Sequence, residues 1–209
     1  MGGSAESAAA GRKCCALCDS PVNFTDPWGL EILGLSTEQW SLVSSSLDTA
    51  VSGLGGTIHS LKSGSNKDVE FKKWFGSTSD ENKNKMVNVY SKIQNDLAGR
   101  SATDFKYDTD TNAYAYVYKP NKVISAIKSF FGIESKQTIY LGAQFFDAPA
   151  EGVDTQSGVL VHESSHLTSD TMDYVCGTEK ATRLASDDPD KAMNNADNVE
   201  YYYESLKNK

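Results

Sequence analysis

From Ser36 onward the apolar residues recur at intervals of three and four. Trp40, Val43, Leu47, Val51, Leu54, Ile58 and Leu61 therefore predict one face of a long helix. The stretch "STEQ" at its start has the serine and glutamine of a capping box, whereas Gly53, Gly55 and Gly56 weaken its middle. A second helix is predicted from Ser79, with Met86, Val89, Tyr90, Ile93 and Leu97 turned inward and Gly99 as its stop. The period then drops to two. "NAYAYVY" alternates small residues with aromatic or branched ones, and "QTIYLG" is a short branched run, so both predict strands of a small sheet. "KVISAIKSFFG" between them predicts a helix or an amphipathic excursion. In "TQSGVLVHESSHLT" the positions Val159, His162, Glu163 and His166 fit a single helix, and Asp188 to Leu206 predicts another, with Asp187 or Asp188 near its start. The pattern is that of a mostly helical α+β protein with a small sheet.

Residues 1–35 differ in character. They are rich in Gly, Ala, Ser and Cys, and "SPVNFTDPWGLEILG" carries Asp-Pro and Trp-Gly steps that punctuate rather than continue an element. This predicts a flexible tail and linker, followed by one domain over residues 36–209. A chain of 209 residues is the right length for one good core with a short appendage. No stretch approaches the roughly 18 apolar residues of a membrane span. A net charge of -8 with scattered Lys and Arg argues against nucleic acid as a partner, since phosphate binding needs clustered basic residues. The acidic balance suits basic ligands, and serves solubility equally well. "MGGSAESAAAGRKCC" lacks the continuous apolar run of a secretory signal, which predicts either export by another route or a cytoplasmic location. Three of the four cysteines, Cys14, Cys15 and Cys18, crowd one end, while Cys176 stands apart. That is not the spread of a disulfide framework.

The chemistry concentrates in "HESSHLTSDTMDYVCG", residues 162–177. On a helix, residues four apart lie one above the other, so His162 and His166 can offer two imidazole nitrogens to one ion. Zinc accepts histidine nitrogen readily, and a catalytic zinc site takes three protein ligands and leaves one position open. Glu163, directly after the first histidine, is placed to take a proton from a water held at such an ion. The ordinary alternative, two histidines on a solvated helix face, is disfavoured because two of only three histidines in the chain fall at this spacing around a glutamate. The third histidine, His59, lies far upstream in a helix and reads as a solvated side chain. A third ligand must come from Asp170 or Asp173, and an aspartate would leave a charge of +1 on a zinc-ligand set, enough to keep acidifying its water.

"LVHESSH" followed by "DTMDYVCG", together with "WFG", "AYAYVY", "IYLGAQFFDAPAEGVDTQSG" and "NNADNVEYYYE", resembles the aspzincin metallopeptidases, and within them the peptidyl-Lys metalloendopeptidases. The similarity runs from about Phe71 to Glu204. The resemblance implies a zincin-like fold with the His-Glu-x-x-His motif on an active-site helix, zinc held by His162, His166 and Asp173, and Glu163 as general base. Two positions depart from the family's Gly-Thr-x-Asp-x-x-Tyr-Gly segment. Its first glycine is Asp170 here, so the loop carrying Asp173 must be tighter. Its tyrosine is Cys176, at the position of the family's oxyanion donor, and losing one such donor raises a barrier by about 2.7–4 kcal/mol. Three readings of Cys176 stand: a lesion that slows the enzyme, replacement of the donor by Tyr174 or one of Tyr201 to Tyr203, or a thiolate that binds zinc in a latent state.

Asp197 and Glu200 sit three apart, hence on one helix face. By themselves they would be a solvated face. The resemblance implies instead that they line the pocket for the residue after the cut bond and hold a lysine ammonium, giving cleavage on the N-terminal side of lysine. "PVNFTDPWGL" resembles the segment that closes the core of Rhs-repeat proteins just before their variable C-terminal toxin domains. It implies a toxin cartridge delivered into another cell, with an Rhs core and a cognate immunity protein as partners. The alternatives are an ordinary cytosolic metalloprotease, or a catalytically impaired zinc-binding or interaction domain on the same scaffold.

Overall fold

The computed structural model describes residues 34–63, 68–118 and 136–207. The Rhs-like phrase, Cys14, Cys15, Cys18 and the "KVISAIKSFFG" excursion lie outside the described residues. Helix α1 spans Thr37–Ser63, α2 Asp68–Phe75 and α3 Asp80–Ala98. Three short strands follow: β1 Phe105–Tyr107, β2 Ala115–Val117 and β3 Ile139–Leu141. The rest is helical, with α4 Ala143–Asp147, α5 Gln156–Ser169, α6 Thr178–Asp187, α7 Pro189–Ala192 and α8 Ala196–Lys207.

Helix α1 begins as its residues dictate. Ser36 Oγ accepts from Gln39 N at 3.2 Å while Ser36 N donates to Gln39 Oε1 at 2.9 Å, a reciprocal capping box. Val43, Leu47, Leu54 and Leu61 are buried, and Trp40, Val51 and Ile58 pack at the core's edge. The glycines do not break the helix. At Gly53 an added Cβ would lie 2.7 Å from the Tyr203 ring, so this residue lets α1 approach α8 closely. Helix α3 is capped by Ser79, whose side chain accepts from Asn82 N, and buries Met86, Tyr90, Ile93 and Leu97. His59 is exposed on α1.

The sheet has the order β1-β3-β2, with β1 parallel and β2 antiparallel to β3. Ala115, Ile139, Leu141 and Phe105 face the core, while Tyr116 stacks on Tyr140 on the other face with ring centroids 4.9 Å apart. This two-sided alternation is the period of two seen in the sequence. The inner face backs onto α5.

Helix α5 is enclosed on every side: each residue from Ser157 to His166 is buried. Small residues make that possible. Thr155 caps the helix by accepting from Gly158 N at 2.9 Å, and Ser164 Oγ donates to Asp96 Oδ2 at 2.8 Å. Asp96 is in turn gripped by Arg100, whose Nε donates to it at 2.9 Å and whose Nη1 donates to Gln137 O at 2.8 Å. A single network thus ties α3, α5 and the approach to β3 together.

One expectation is corrected at the C-terminal side. The single helix predicted from Asp188 to Leu206 is two, α7 and α8, with a break at residues 193–195. Asp188 does cap α7, its Oδ1 accepting from Lys191 N at 3.1 Å. The chain then leaves helical geometry because Met172 N donates to Asn194 O at 2.8 Å and Ala196 N donates to Met172 O at 3.0 Å, a parallel bridge between Met172 and Asn195. Backbone groups used in that bridge are unavailable to a continuous helical ladder.

Candidate metal centre

His162 and His166 project from adjacent turns of α5, with ring centroids 4.9 Å apart. Each ring has one nitrogen committed to the protein. His162 Nδ1 lies 3.0 Å from Glu200 Oε2 and 3.3 Å from Asp197 Oδ1, and His166 Nδ1 lies 2.8 Å from Thr171 O. A proton on each Nδ1 is donated to Glu200 Oε2 and to Thr171 O, respectively, and leaves both Nε2 lone pairs free, the tautomer a metal ligand requires. Both Nε2 atoms face Asp173 Oδ1, at 3.2 Å from His162 and 3.3 Å from His166.

Those separations fit a zinc ion. Ligands at about 2.0–2.1 Å in a tetrahedron stand roughly 3.3 Å from one another, which is the spacing of Asp173 Oδ1 from either imidazole nitrogen. Asp173 Oδ1 is also buried without a hydrogen bond, so among the described residues it has no competing donor other than these ligand nitrogens. Burial pushes the Asp173 carboxyl up, but the two imidazoles beside it, when both of their nitrogens are protonated, outweigh that and hold the group well below the usual carboxylate range. Glu163, fully enclosed beside them, moves the other way: desolvation raises its carboxyl against the pull of His162 and His166. A raised carboxyl next to a metal site is suited to accepting and returning a proton.

The loop from α5 to Asp173 opens at Asp170. Asp170 caps α5 in the left-handed region, φ 54° and ψ 29°, where aspartate is one of the few residues besides glycine to settle. Ser165 and Thr171 hydroxyls meet at 2.6 Å across this turn.

Asp197 and Glu200 are on one face of α8, as predicted, and are 0% and 1% exposed. Asp197 Oδ2 accepts from Gly177 N at 2.6 Å, and Asp197 Oδ1 and Glu200 Oε1 are buried without hydrogen bonds. Desolvation raises both carboxyls, Glu200 well above its ordinary value, with His162 pulling each down. Cys176 is disulfide-bonded. A sulfur so bonded has neither a thiol proton to donate nor a thiolate charge for a metal. Of the tyrosines that could stand in for a donor, Tyr201 donates to Asp154, Tyr203 donates to Ser157, and Tyr202 is buried among Phe71, Phe75 and Tyr90. Tyr174, beside Asp173, is 43% exposed. Asn195, to which the motif reading gave no role, proves to be buried against the Asp173 loop.

An α+β scaffold with two helix histidines and an aspartate around one point defines a zincin-like metal centre. Its structure superposes on a zinc peptidase from Grifola frondosa with a TM-score of 0.65 and 32% identity, covering 82% of this chain and 97% of the other. The model of the lysine-specific metallo-endopeptidase family, the aspzincins, matches residues 60–138 and 131–204. The peptidyl-Lys metalloendopeptidase of Grifola frondosa is 33% identical over 82% of this chain, and that of Armillaria mellea 34% over 81%. An extracellular protease of Aeromonas hydrophila is 33% identical over 65% of the chain. The chain belongs to the aspzincin family. It spans slightly less than half the length of the two fungal relatives, 46% and 44%.

Proposed function

We propose that the chain is a zinc-dependent endopeptidase. The observation that carries this is the convergence of both Nε2 atoms on Asp173 Oδ1 at tetrahedral-edge distances, with Glu163 buried alongside. His162, His166 and Asp173 would hold the ion, which when bound supplies Lewis acidity toward the scissile carbonyl and an attacking water. Glu163 accepts the proton of that water as its oxygen adds to the carbonyl carbon. It then returns the proton to the amide nitrogen as the C–N bond breaks, and the remaining hydroxyl proton of the water passes to the same nitrogen, so that a carboxylate and an ammonium leave. Tyr174, the exposed tyrosine next to the Asp173 ligand, is the side chain best placed to donate to the oxyanion in place of Cys176.

For specificity, we infer cleavage on the N-terminal side of lysine. A carboxylate oxygen of Asp197 and one of Glu200 lie within 4.8 Å of each other, and Asp197 Oδ1 and Glu200 Oε1 make no hydrogen bond, so the pair carries uncompensated negative charge that suits an ammonium. A second reading rests on their contact with His162 Nδ1: the pair serves to orient that ring. Digestion of an unstructured lysine-containing polypeptide by zinc-loaded protein, mapped by mass spectrometry, tests the activity. Cuts before lysine are expected, and Glu163→Ala should abolish them while zinc still binds. A non-catalytic scaffold cuts neither with nor without chelator. Replacing Asp197 and Glu200 together by Ala should erase the lysine preference; a preference that survives with weakened zinc binding selects the second reading.

The biological setting we propose is a toxin domain of an Rhs-type protein, neutralised at home by an immunity protein. "PVNFTDPWGL" supports it. Expression of the full chain in a bacterial cytoplasm should arrest growth, and the Glu163→Ala form should not. Equal growth with both would favour an ordinary protease.

A further inference from the structure

The third ligand of the centre is on a loop, and loops hold geometry only where something fixes them. Between Asp170 and Gly177 only Met172 makes a strand-like bridge. The side chain of Asn195 supplies much of the rest. Its Oδ1 accepts from Tyr174 N at 2.8 Å and from Val175 N at 3.2 Å, the two amides directly after Asp173. Its Nδ2 donates to Val175 O at 3.2 Å and to Asn198 Oδ1 at 2.8 Å. Asn198 in turn donates from Nδ2 to Trp74 O at 2.6 Å and to Ala181 O at 2.9 Å. Both asparagines are 0% exposed.

Two acceptor sites and two amide hydrogens are all that an asparagine side chain has, and Asn195 uses every one of them. We propose that Asn195 is the positioning residue of the metal centre, setting where Asp173 Oδ1 stands relative to the two histidine nitrogens, with Asn198 anchoring it to α2 and α6. This rests on the metal-site reading above. Aspartate has the same shape but would turn a carboxylate oxygen toward Val175 O and Asn198 Oδ1, acceptor against acceptor, and alanine would leave two buried amides unpaired.

The test is zinc affinity of the full chain, measured by competition with a chromophoric chelator, for Asn195→Ala and Asn195→Asp in the parent and in an Asp173→Ala background. Supporting residues of this kind typically change metal affinity 10–100-fold, and that loss is expected in the parent for both variants. In the Asp173→Ala background the same substitutions should change affinity less than about twofold, because the group they position is gone. An unchanged affinity in the parent, or an equal loss in both backgrounds, overturns the proposal. Asn195→Asp, the same size as the original, keeps the test available if Asn195→Ala fails to fold. A parent that binds no zinc would remove the metal centre and this inference with it, an outcome distinct from a parent that binds and a variant that binds equally well.

Discussion

Gly158, between the capping threonine and the motif on α5, makes the sharpest test of how this site is packed. A Cβ there would sit 2.1 Å from Glu204 Oε1, 2.8 Å from Glu204 Cδ and 3.0 Å from Glu200 Oε1. Glu204 is not free to swing aside, because its carboxylate accepts from Thr155 N at 2.7 Å, Thr155 Oγ1 at 2.8 Å and Asp154 N at 3.2 Å. Above about pH 7, where Glu204 is charged, relieving the clash therefore breaks a hydrogen bond to a buried charge, about 1.5–3 kcal/mol, or leaves overpacking strain of about 1–3 kcal/mol. Better helix propensity returns about 0.5–1 kcal/mol. Gly158→Ala should thus destabilise the protein by about 0.5–2.5 kcal/mol, which for a chain of this size lowers Tm by roughly 3–6 °C near the middle of that range. Gly56, exposed on α1 with nothing within 4 Å of its would-be Cβ, is the control: the same substitution there should raise Tm by a few degrees, about 0.5–1 kcal/mol. Thermal unfolding followed by circular dichroism decides both. Glu204→Ala should recover part of the loss in the Gly158→Ala background. A Gly158→Ala protein as stable as the parent would refute the packing argument.

Other outcomes follow from the same neighbourhood. Burial pushes the Glu204 carboxyl from an ordinary 4.5 up to about 7, against the hydrogen bonds from Thr155. The folded state therefore keeps a proton that the unfolded chain releases. The resulting stability is fully present below about pH 4.5, is lost as pH rises to about 7, and is flat above that. Urea midpoints of parent and Glu204→Gln, both in chelator, should diverge across that window by an amount on the order of 3 kcal/mol, and parallel profiles would sink the assignment. At Asp170, in the left-handed region, Gly should be tolerated with a change under about 1 kcal/mol, whereas a β-branched Val should cost about 1–2 kcal/mol. Chemical denaturation of the pair measures this, and a Val variant as stable as the Gly one would contradict it.

Much of the centre is legible in the sequence because its information is local. His162, Glu163 and His166 announce themselves by spacing on one helix, and α1 and α3 by seven and five inward positions that recur with helical period. Asp173 is different: spacing leaves it level with Asp170, and only family resemblance and then the fold separate them. Asn195 is silent for a physical reason. A neutral amide that bonds backbone groups twenty residues away leaves no periodicity, charge or spacing to read. Strand β1 is hidden by its brevity, three residues with no alternation to count. Helix α6 does bury Ala181 and Ala185, but alanine at that spacing is too weak an apolar signal to distinguish from loop. The merging of α7 with α8 fails on a long-range event, the bridge from Met172, which no window along the chain contains.

That bridge also sets an order of events during biosynthesis. His162, Glu163 and His166 are together on α5 as soon as that helix forms, yet Asp173, the proposed third ligand, is held by contacts from residues 194 to 197, and His162 by Glu200. Until α8 has been made and has docked, the nascent chain has a pair of histidines and no completed cradle for the ion. The centre proposed above is therefore complete only once α8 has packed against α5 and the Asp173 loop.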